Sequence, residues 1–146
     1  MGSEIASDSD EDMPAFVGIS PLADLPTNAE EIRVALLDVF DRQRQVDLAA
    51  RLVARYLTLG HSARSLIATL ARALLREDAG FHAYQVLDAG VRQFGEWGNT
   101  DEGRHILIAV VRFLAAHSPT ERAELQTADI AQRLMRGGEL HQDTTA

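Results

Sequence analysis

Apolar residues recur every three or four positions along most of this chain, the spacing that places them on one face of an α-helix. Residues 1–26 are the exception, because their few apolar side chains follow no period. From residue 27 onward the pattern predicts six helices separated by short polar or glycine-containing stretches. They are predicted at about 28–43, 46–58, 63–77 and 80–96, then from 99 or 100 onward, with a sixth that ends at about 136.

Local start and stop signals support these helices. Thr27-Asn-Ala-Glu30 has the form of a capping box, in which the threonine hydroxyl binds a backbone N–H of the first turn. Ser118-Pro119-Thr-Glu121 combines an N-cap serine, a proline at the first helical position and a glutamate at N3, so it predicts the start of the sixth helix. Gly60 and the pair Gly137-Gly138 are typical of helix C-termini.

These elements define the expected fold class and domain organisation. No segment keeps the alternating pattern of a strand, and short connections make consecutive helices antiparallel neighbours. The sequence therefore predicts an all-α fold, a single bundle of about five or six antiparallel helices. A stack of helical hairpins is the alternative, but no internal period supports it. We expect a disordered or extended acidic arm at 1–26, a helical domain at 27–138 and a flexible tail at 139–146.

Composition agrees with one helical domain. The chain has 146 residues, of which 46% are hydrophobic and only 5% aromatic, so its core must consist mainly of leucine, alanine, valine and isoleucine. The net charge of -8 comes from the N-terminal segment, because residues 1–32 contain eight acidic residues and no basic one. Beyond residue 32, acidic and basic residues balance.

Several classes of function lack the residues they need. No basic stripe or polybasic patch exists for nucleic acid or a membrane surface, and no apolar run is long enough to span a bilayer. The absence of cysteine excludes disulfides and Cys-ligated clusters, and the absence of lysine excludes Schiff-base chemistry. No nucleotide-binding glycine motif is present. An acidic N-terminus is unlike a signal peptide, so we expect a cytoplasmic protein.

The candidate chemistry lies in two copies of one spacing, Asp78-Ala-Gly-Phe-His82 and Asp101-Glu-Gly-Arg-His105. Residues four apart on a helix share a face, so each acid could orient its histidine as a base or a metal ligand. For Asp78 and His82 this requires the helix to continue through Gly80. The alternative is an ordinary Asp–His pair within a helix, or a bend at Gly80. Glu102 and His105 also have the Glu-x-x-His spacing of di-iron bundles, but those sites need two copies.

His117 follows Ile106, Val110 and Phe113 at helical spacing, so we expect it to face inward at the end of the fifth helix. It could bind a terminal carbonyl there. If it met His82 together with Asp78 or Glu77, the three side chains could hold one metal ion with open coordination positions. The candidate catalytic residues are therefore His82, Asp78 and His117. The candidate metal ligands are His82, His117, Glu77 and Asp78.

Three stretches carry a family resemblance: Leu74-Leu-Arg-Glu-Asp-Ala-Gly-Phe-His82-Ala-Tyr-Gln85, Ala115-Ala-His117-Ser-Pro-Thr120 and Gln126-Thr-Ala-Asp-Ile-Ala131. Together they resemble a helical region of predicted bacterial proteins that also carry a Rieske-type iron–sulfur domain. The Cys and His ligands of a Rieske cluster are missing here. The resemblance implies a partner-binding or substrate-holding region of a redox or oxygenase-like system, with Asp78, His82 and His117 at the matching polar positions.

Two functions therefore remain open. The first is a small helical accessory or protein-interaction domain that binds a protein partner or a second copy of itself. The second is a small metal-binding protein or enzyme whose histidines and carboxylates form a site in the bundle core. No cofactor is identified by a motif, although a metal held by histidine and carboxylate is compatible with the sequence.

Overall fold

A computed structural model describes residues 22–137, and within that range it contains six α-helices, one short 3-10 turn at Leu22–Asp24 and no strand. The predicted all-α bundle is confirmed. The predicted tail at 139–146 and residues 1–21 of the predicted acidic arm lie outside the described residues. The helices are α1 (Ala29–Phe40), α2 (Val46–Thr58), α3 (Ala63–Leu75), α4 (Phe81–Trp97), α5 (Asp101–Ala116) and α6 (Ala123–Met135). None of these helices combines the length and apolarity needed to span a membrane.

The core lies between α1 and α5, with α2 at its centre. Helix α2 packs against α1 and α5, and α4 also packs against α5. Small residues such as Ala49 and Ala50 are buried along α2, which lets neighbouring backbones approach closely. Tyr56 is buried as well, and its hydroxyl donates to the carbonyl of Ser62 at 2.8 Å. These contacts make α1–α5 one packed unit that supports the α3–α4 junction.

The first helix begins one residue later than the predicted capping box requires. Asn28, not Thr27, is the N-cap, and its side-chain oxygen accepts from the N–H groups of Glu30 at 2.9 Å and Glu31 at 3.1 Å. Thr27 is used elsewhere, because its carbonyl lies 2.7 Å from Nε2 of His61. Asparagine and threonine both cap helices, so the local sequence alone does not choose between them.

The sixth helix also begins later than predicted. It starts at Ala123, after Arg122 in the left-handed conformation with φ 56°, and the Ser118–Pro119 peptide is cis. Ser118 does not cap this helix, because its hydroxyl donates to the Leu114 carbonyl at the end of α5 at 2.8 Å. Thr120 is bound to Glu77 on the other side of the cavity described below. Tertiary hydrogen bonds therefore override the local capping signal.

The α3–α4 junction is bent at Gly80. Helix α3 ends at Leu75, two residues earlier than predicted, and Gly80 is the N-cap of α4. Asp78 and His82 therefore do not lie on one continuous helix. On α4, Phe94 is buried, whereas Tyr84 is exposed.

Helices α4 and α5 approach each other closely at Gly90. A Cβ atom added at Gly90 would lie 2.2 Å from Cγ2 of Val110, a buried and conformationally stiff side chain. Gly95, on the same helix, has no atom within 4 Å of an added Cβ. These two glycines form a matched pair for testing the α4–α5 contact.

We predict that Gly90→Ala lowers the free energy of unfolding by about 1–3 kcal/mol, because the methyl group overpacks the α4–α5 contact. Gly95→Ala should raise it by about 0.5–1 kcal/mol, since alanine is the better helix former and meets no neighbour. Urea unfolding followed by circular dichroism measures both. Equal effects of the two substitutions would contradict the close contact at Gly90.

Candidate functional site

A cavity of about 530 Å³ lies where the α3–α4 junction meets the end of α5 and the loop before α6. All four residues that the sequence singles out, Glu77, Asp78, His82 and His117, line it. Its walls are otherwise mostly apolar. The apolar lining residues are Leu74, Ala79, Ala83, Phe113 and Leu114. The four candidate residues therefore lie around one cavity, although the contacts there differ from the predicted ones.

Glu77 is the most buried ionisable side chain of this region, with 5% of its surface exposed. Its Oε2 accepts from the backbone N–H and the hydroxyl of Thr120, both at 2.7 Å. Its Oε1 accepts from Nη2 of Arg122 at 2.7 Å and from Nε at 3.1 Å. Arg122 also donates to Asp41, just past the end of α1, at 2.6 Å. We call Glu77, Thr120, Arg122 and Asp41 the Glu77 network.

The Glu77 network changes the protonation equilibria of its members. Burial by itself would raise the pKa of Glu77, but hydrogen bonds from Arg122 and Thr120 outweigh burial and leave that pKa below its ordinary value. The pKa of Arg122 is raised, chiefly by its hydrogen bond to Glu77 and further by Asp41, although burial opposes the shift. Both groups are therefore charged at neutral pH, and each satisfies the other.

Asp78 caps α6 from a distant part of the chain. Its Oδ2 accepts from the N–H of Ala123 at 2.8 Å, and its Oδ1 accepts from the N–H of Glu124 at 3.0 Å. These hydrogen bonds, with that of Glu124 the stronger influence, lower the pKa of Asp78. The backbone N–H of Asp78 donates to the Thr120 hydroxyl at 2.9 Å. Asp78 therefore holds the start of α6 and does not orient His82 as predicted.

Both candidate histidines are exposed at the cavity and bind neighbours on their own helix. Nδ1 of His82 lies 3.1 Å from Oε1 of Gln85. Nδ1 of His117 lies 2.8 Å from the carbonyl of Phe113, and the two rings are in contact, tilted by 30° with centroids 4.3 Å apart. The expectation that His117 faces inward is wrong, whereas the alternative, a bond to a terminal carbonyl of α5, is confirmed.

The predicted metal ligands do not form a coordinating group. Within residues 22–137, no three His, Asp or Glu side chains are placed to hold a metal ion. Glu77 and Asp78 line the cavity, but their oxygens accept from protein N–H and O–H groups instead. In the second copy of the spacing, Asp101 contacts Arg104 at 3.4 Å, and His105 is exposed on α5.

The residues that sequence reasoning missed are Thr120, Arg122 and Gln85. Thr120 lies within Ser118–Glu121, which has the local pattern of a helix N-terminus, so the sequence did not indicate that Thr120 binds Glu77. The sequence does contain one indication of these contacts. Two adjacent acids, at 77 and 78, follow the third helix directly, and such carboxylates need backbone N–H groups or a cation from another part of the chain as partners. Nothing near Arg122 in the sequence indicates which of the chain's acids it binds.

We predict that Glu77→Ala lowers the free energy of unfolding by about 1–3 kcal/mol, because it leaves Thr120 and part of the Arg122 guanidinium without their acceptor. Glu96→Ala is the control, since Glu96 is exposed on α4 and its removal should change stability by less than about 0.5 kcal/mol. Urea unfolding measures both. Similar small effects would show that the Glu77 network does not stabilise the fold.

The lowered pKa values of Glu77 and Asp78 predict a loss of stability in acid. Both carboxyls bind protons more weakly in the folded state, so their contribution is complete above the ordinary pKa values of about 4 and declines as pH falls through the lowered values. The double variant Glu77→Gln/Asp78→Asn should therefore lose less stability than the wild type between about pH 5 and pH 2. Urea unfolding at a series of pH values tests this, and parallel curves would contradict it.

Comparison with known proteins gives no match: no family model, no curated protein and no solved structure is significantly similar to this chain. The resemblance to a helical region of proteins with a Rieske-type domain therefore stays a prediction. The contacts and exposed surfaces of residues 22–137 are therefore the basis for inferring a function.

Proposed function

We propose that this protein is a helical interaction module that pairs with a second copy of itself through α6. The observation that carries the proposal is the exposure of α6, in which no residue from Ala123 to Met135 is buried. An isolated helix of 13 residues is only marginally stable in water, because most helical stability in proteins comes from packing an apolar face. Helix α6 therefore needs a surface to pack against.

One face of α6 has the apolar character that such packing requires. Ala123, Thr127, Ile130 and Leu134 follow one another at spacings of three or four, so they lie on one side of the helix. Ile130 is 46% exposed and Leu134 is 47% exposed, although both are large aliphatic side chains. Burying them at an interface is favourable by about 25 cal/mol for each Å² of apolar surface removed from water.

The distribution of charge along α6 favours a second copy as the partner. Apart from Arg122, which belongs to the Glu77 network, acids lie at the start and middle (Glu121, Glu124 and Asp129) and bases at the end (Arg133 and Arg136). An antiparallel pair brings the acidic half of each copy beside the basic half of the other and opposes the two helix dipoles. Such a two-fold arrangement uses the same surface on both subunits.

Apolar surface beside α6 can enlarge the interface. Leu75 is 70% exposed and Phe81 is 74% exposed, and each lies three residues from Asp78, which binds the first turn of α6. A stable interface buries about 800 Å² on each partner, more than the face of one short helix provides. The Glu77 network and Asp78 hold α6 to the body at its first turn and leave the rest of the helix available to a partner.

The accessory role in a redox or oxygenase-like system, implied by the family resemblance, stays a prediction. The alternative function, a His and carboxylate metal protein or enzyme, is less well supported because Glu77 and Asp78 are engaged by protein donors. An interaction module requires only the exposed helix and its anchor.

We predict that the wild-type protein dimerises with increasing concentration and that Ile130→Asp/Leu134→Asp is monomeric. Both substitutions place a charge on the proposed interface and leave the core of α1–α5 unchanged, so the variant should stay folded. Light scattering and sedimentation equilibrium measure the mass. Hydrogen exchange of α6 amides should slow with concentration in the wild type and not in the variant.

The matched control is Val34→Asp/Trp97→Asp, which changes two exposed apolar residues on α1 and α4. This control should dimerise like the wild type. A wild-type chain that stays monomeric at every concentration overturns the proposal. If α6 amides are then protected in the monomer, the apolar face is covered by the protein's own chain.

A further inference from the structure

The cavity between the α3–α4 junction, the end of α5 and the loop before α6 is large enough to hold a small molecule. Its volume of about 530 Å³ lies in the range of small-molecule sites, about 300–1,000 Å³. Apolar walls with a few polar groups at defined positions are typical of such sites. The polar groups indicate which ligand the cavity would accept.

The side-chain protons along the cavity are already donated within the protein. The Ser118 hydroxyl donates to the carbonyl of Leu114, and the Thr120 hydroxyl donates to Glu77. The hydroxyl oxygen of Ser118 can still accept a hydrogen bond. A ligand beside Ser118 therefore meets an acceptor, not a donor, whereas the Thr120 oxygen already accepts from the N–H groups of Asp78 and Arg122.

The two imidazoles present acceptors in the same way. The Phe113 carbonyl can only accept, so Nδ1 of His117 carries the proton, and Nε2 of the neutral ring is an acceptor. Oε1 of Gln85 likewise accepts from Nδ1 of His82, so Nε2 of that ring is an acceptor when the ring is neutral. Both rings therefore complement a ligand that donates hydrogen bonds.

The charge of the lining points in the same direction. Among the described residues that line the cavity, two are carboxylates and none is arginine. Arg122 balances Glu77, whereas the carboxylate of Asp78 accepts from the uncharged N–H groups of Ala123 and Glu124 in α6 and keeps its negative charge. A cation is favoured beside such a group, and its N–H bonds to anionic or neutral acceptors are stronger than those of a neutral donor.

We propose that this cavity binds an apolar amine, a small hydrophobic molecule that carries an ammonium group. The apolar part contacts Leu74, Ala83 and Leu114, and the ammonium group donates to Nε2 of His82 or His117 and faces Asp78. The first turn of α4 has no side-chain cap, so its N–H groups are the donors that a carboxylate ligand would use instead. The sign of the ligand's charge is therefore the decisive variable.

Three probes of similar shape separate the ligand classes: 2-phenylethylamine, 2-phenylethanol and phenylacetate. The full-length chain is titrated with each, and the imidazole signals of the five histidines are followed by NMR. The amine should shift the ring signals of His82 and His117 saturably and leave His105 unchanged. Its affinity should exceed that of the alcohol and of the carboxylate by about tenfold or more, the factor expected for one charge-assisted hydrogen bond.

Two variants locate the binding. Ala83→Phe fills the cavity and should abolish the shifts, with circular dichroism confirming that the variant is folded. His117→Phe keeps a ring but removes an acceptor, so it should weaken amine binding by about tenfold. His105→Phe is the matched control on the same helix and should bind like the wild type.

Phenylacetate binding as tightly as the amine, or amine binding that survives in both Ala83→Phe and His117→Phe, overturns this proposal. The proposal does not depend on pairing through α6. Ile130→Asp/Leu134→Asp should bind the amine with unchanged affinity, so a failure of either proposal leaves the other intact.

Discussion

The positions of the α5–α6 loop and of the start of α6 depend on the buried carboxylate of Glu77. It is almost fully buried, so it must find partners or cost several kcal/mol in desolvation. Its partners, Thr120 and Arg122, both lie in the loop between α5 and α6, and Arg122 extends to Asp41 after α1. One buried charge therefore fixes the path of a loop against two helices, and that path forms a wall of the cavity and determines where α6 begins.

The first five helices could be predicted from the sequence because the forces that define them are local or periodic. Amphipathic spacing identified α1–α5, and the cap of α3 is local too, because the Ser62 side chain accepts from the N–H of Ser65. The start of α6 could not be predicted in the same way. Ser118 and Thr120 match a helix N-terminus locally, but each makes a stronger tertiary interaction, with Leu114 and with Glu77. Local signals predict an element only while no distant partner competes for the same side chains.

The candidate site shows the same limit for chemistry. Glu77, Asp78, His82 and His117 do gather around one cavity, because polar residues at helix ends on the same side of a bundle are brought together by the packing of α3, α4 and α5. Their roles depend on hydrogen-bond partners that sequence spacing does not reveal. Asp78 and His82 are four residues apart, but the bend at Gly80 places them on different elements. Asp78 instead caps the first turn of α6, where it accepts from Ala123, 45 residues along the chain.

The buried core and the exposed helix α6 occupy different parts of the described chain. The buried hydrophobic residues lie in α1–α5, and α6 adds none. Ordering each residue of α6 costs about 1–2 kcal/mol of conformational entropy, which its own hydrogen bonds only roughly offset. The cap from Asp78 acts on the first turn and the Glu77 network acts before it, so neither stabilises the helix as far as Leu134. The helical conformation of the C-terminal half of α6 is therefore the one that packing against another surface would stabilise most.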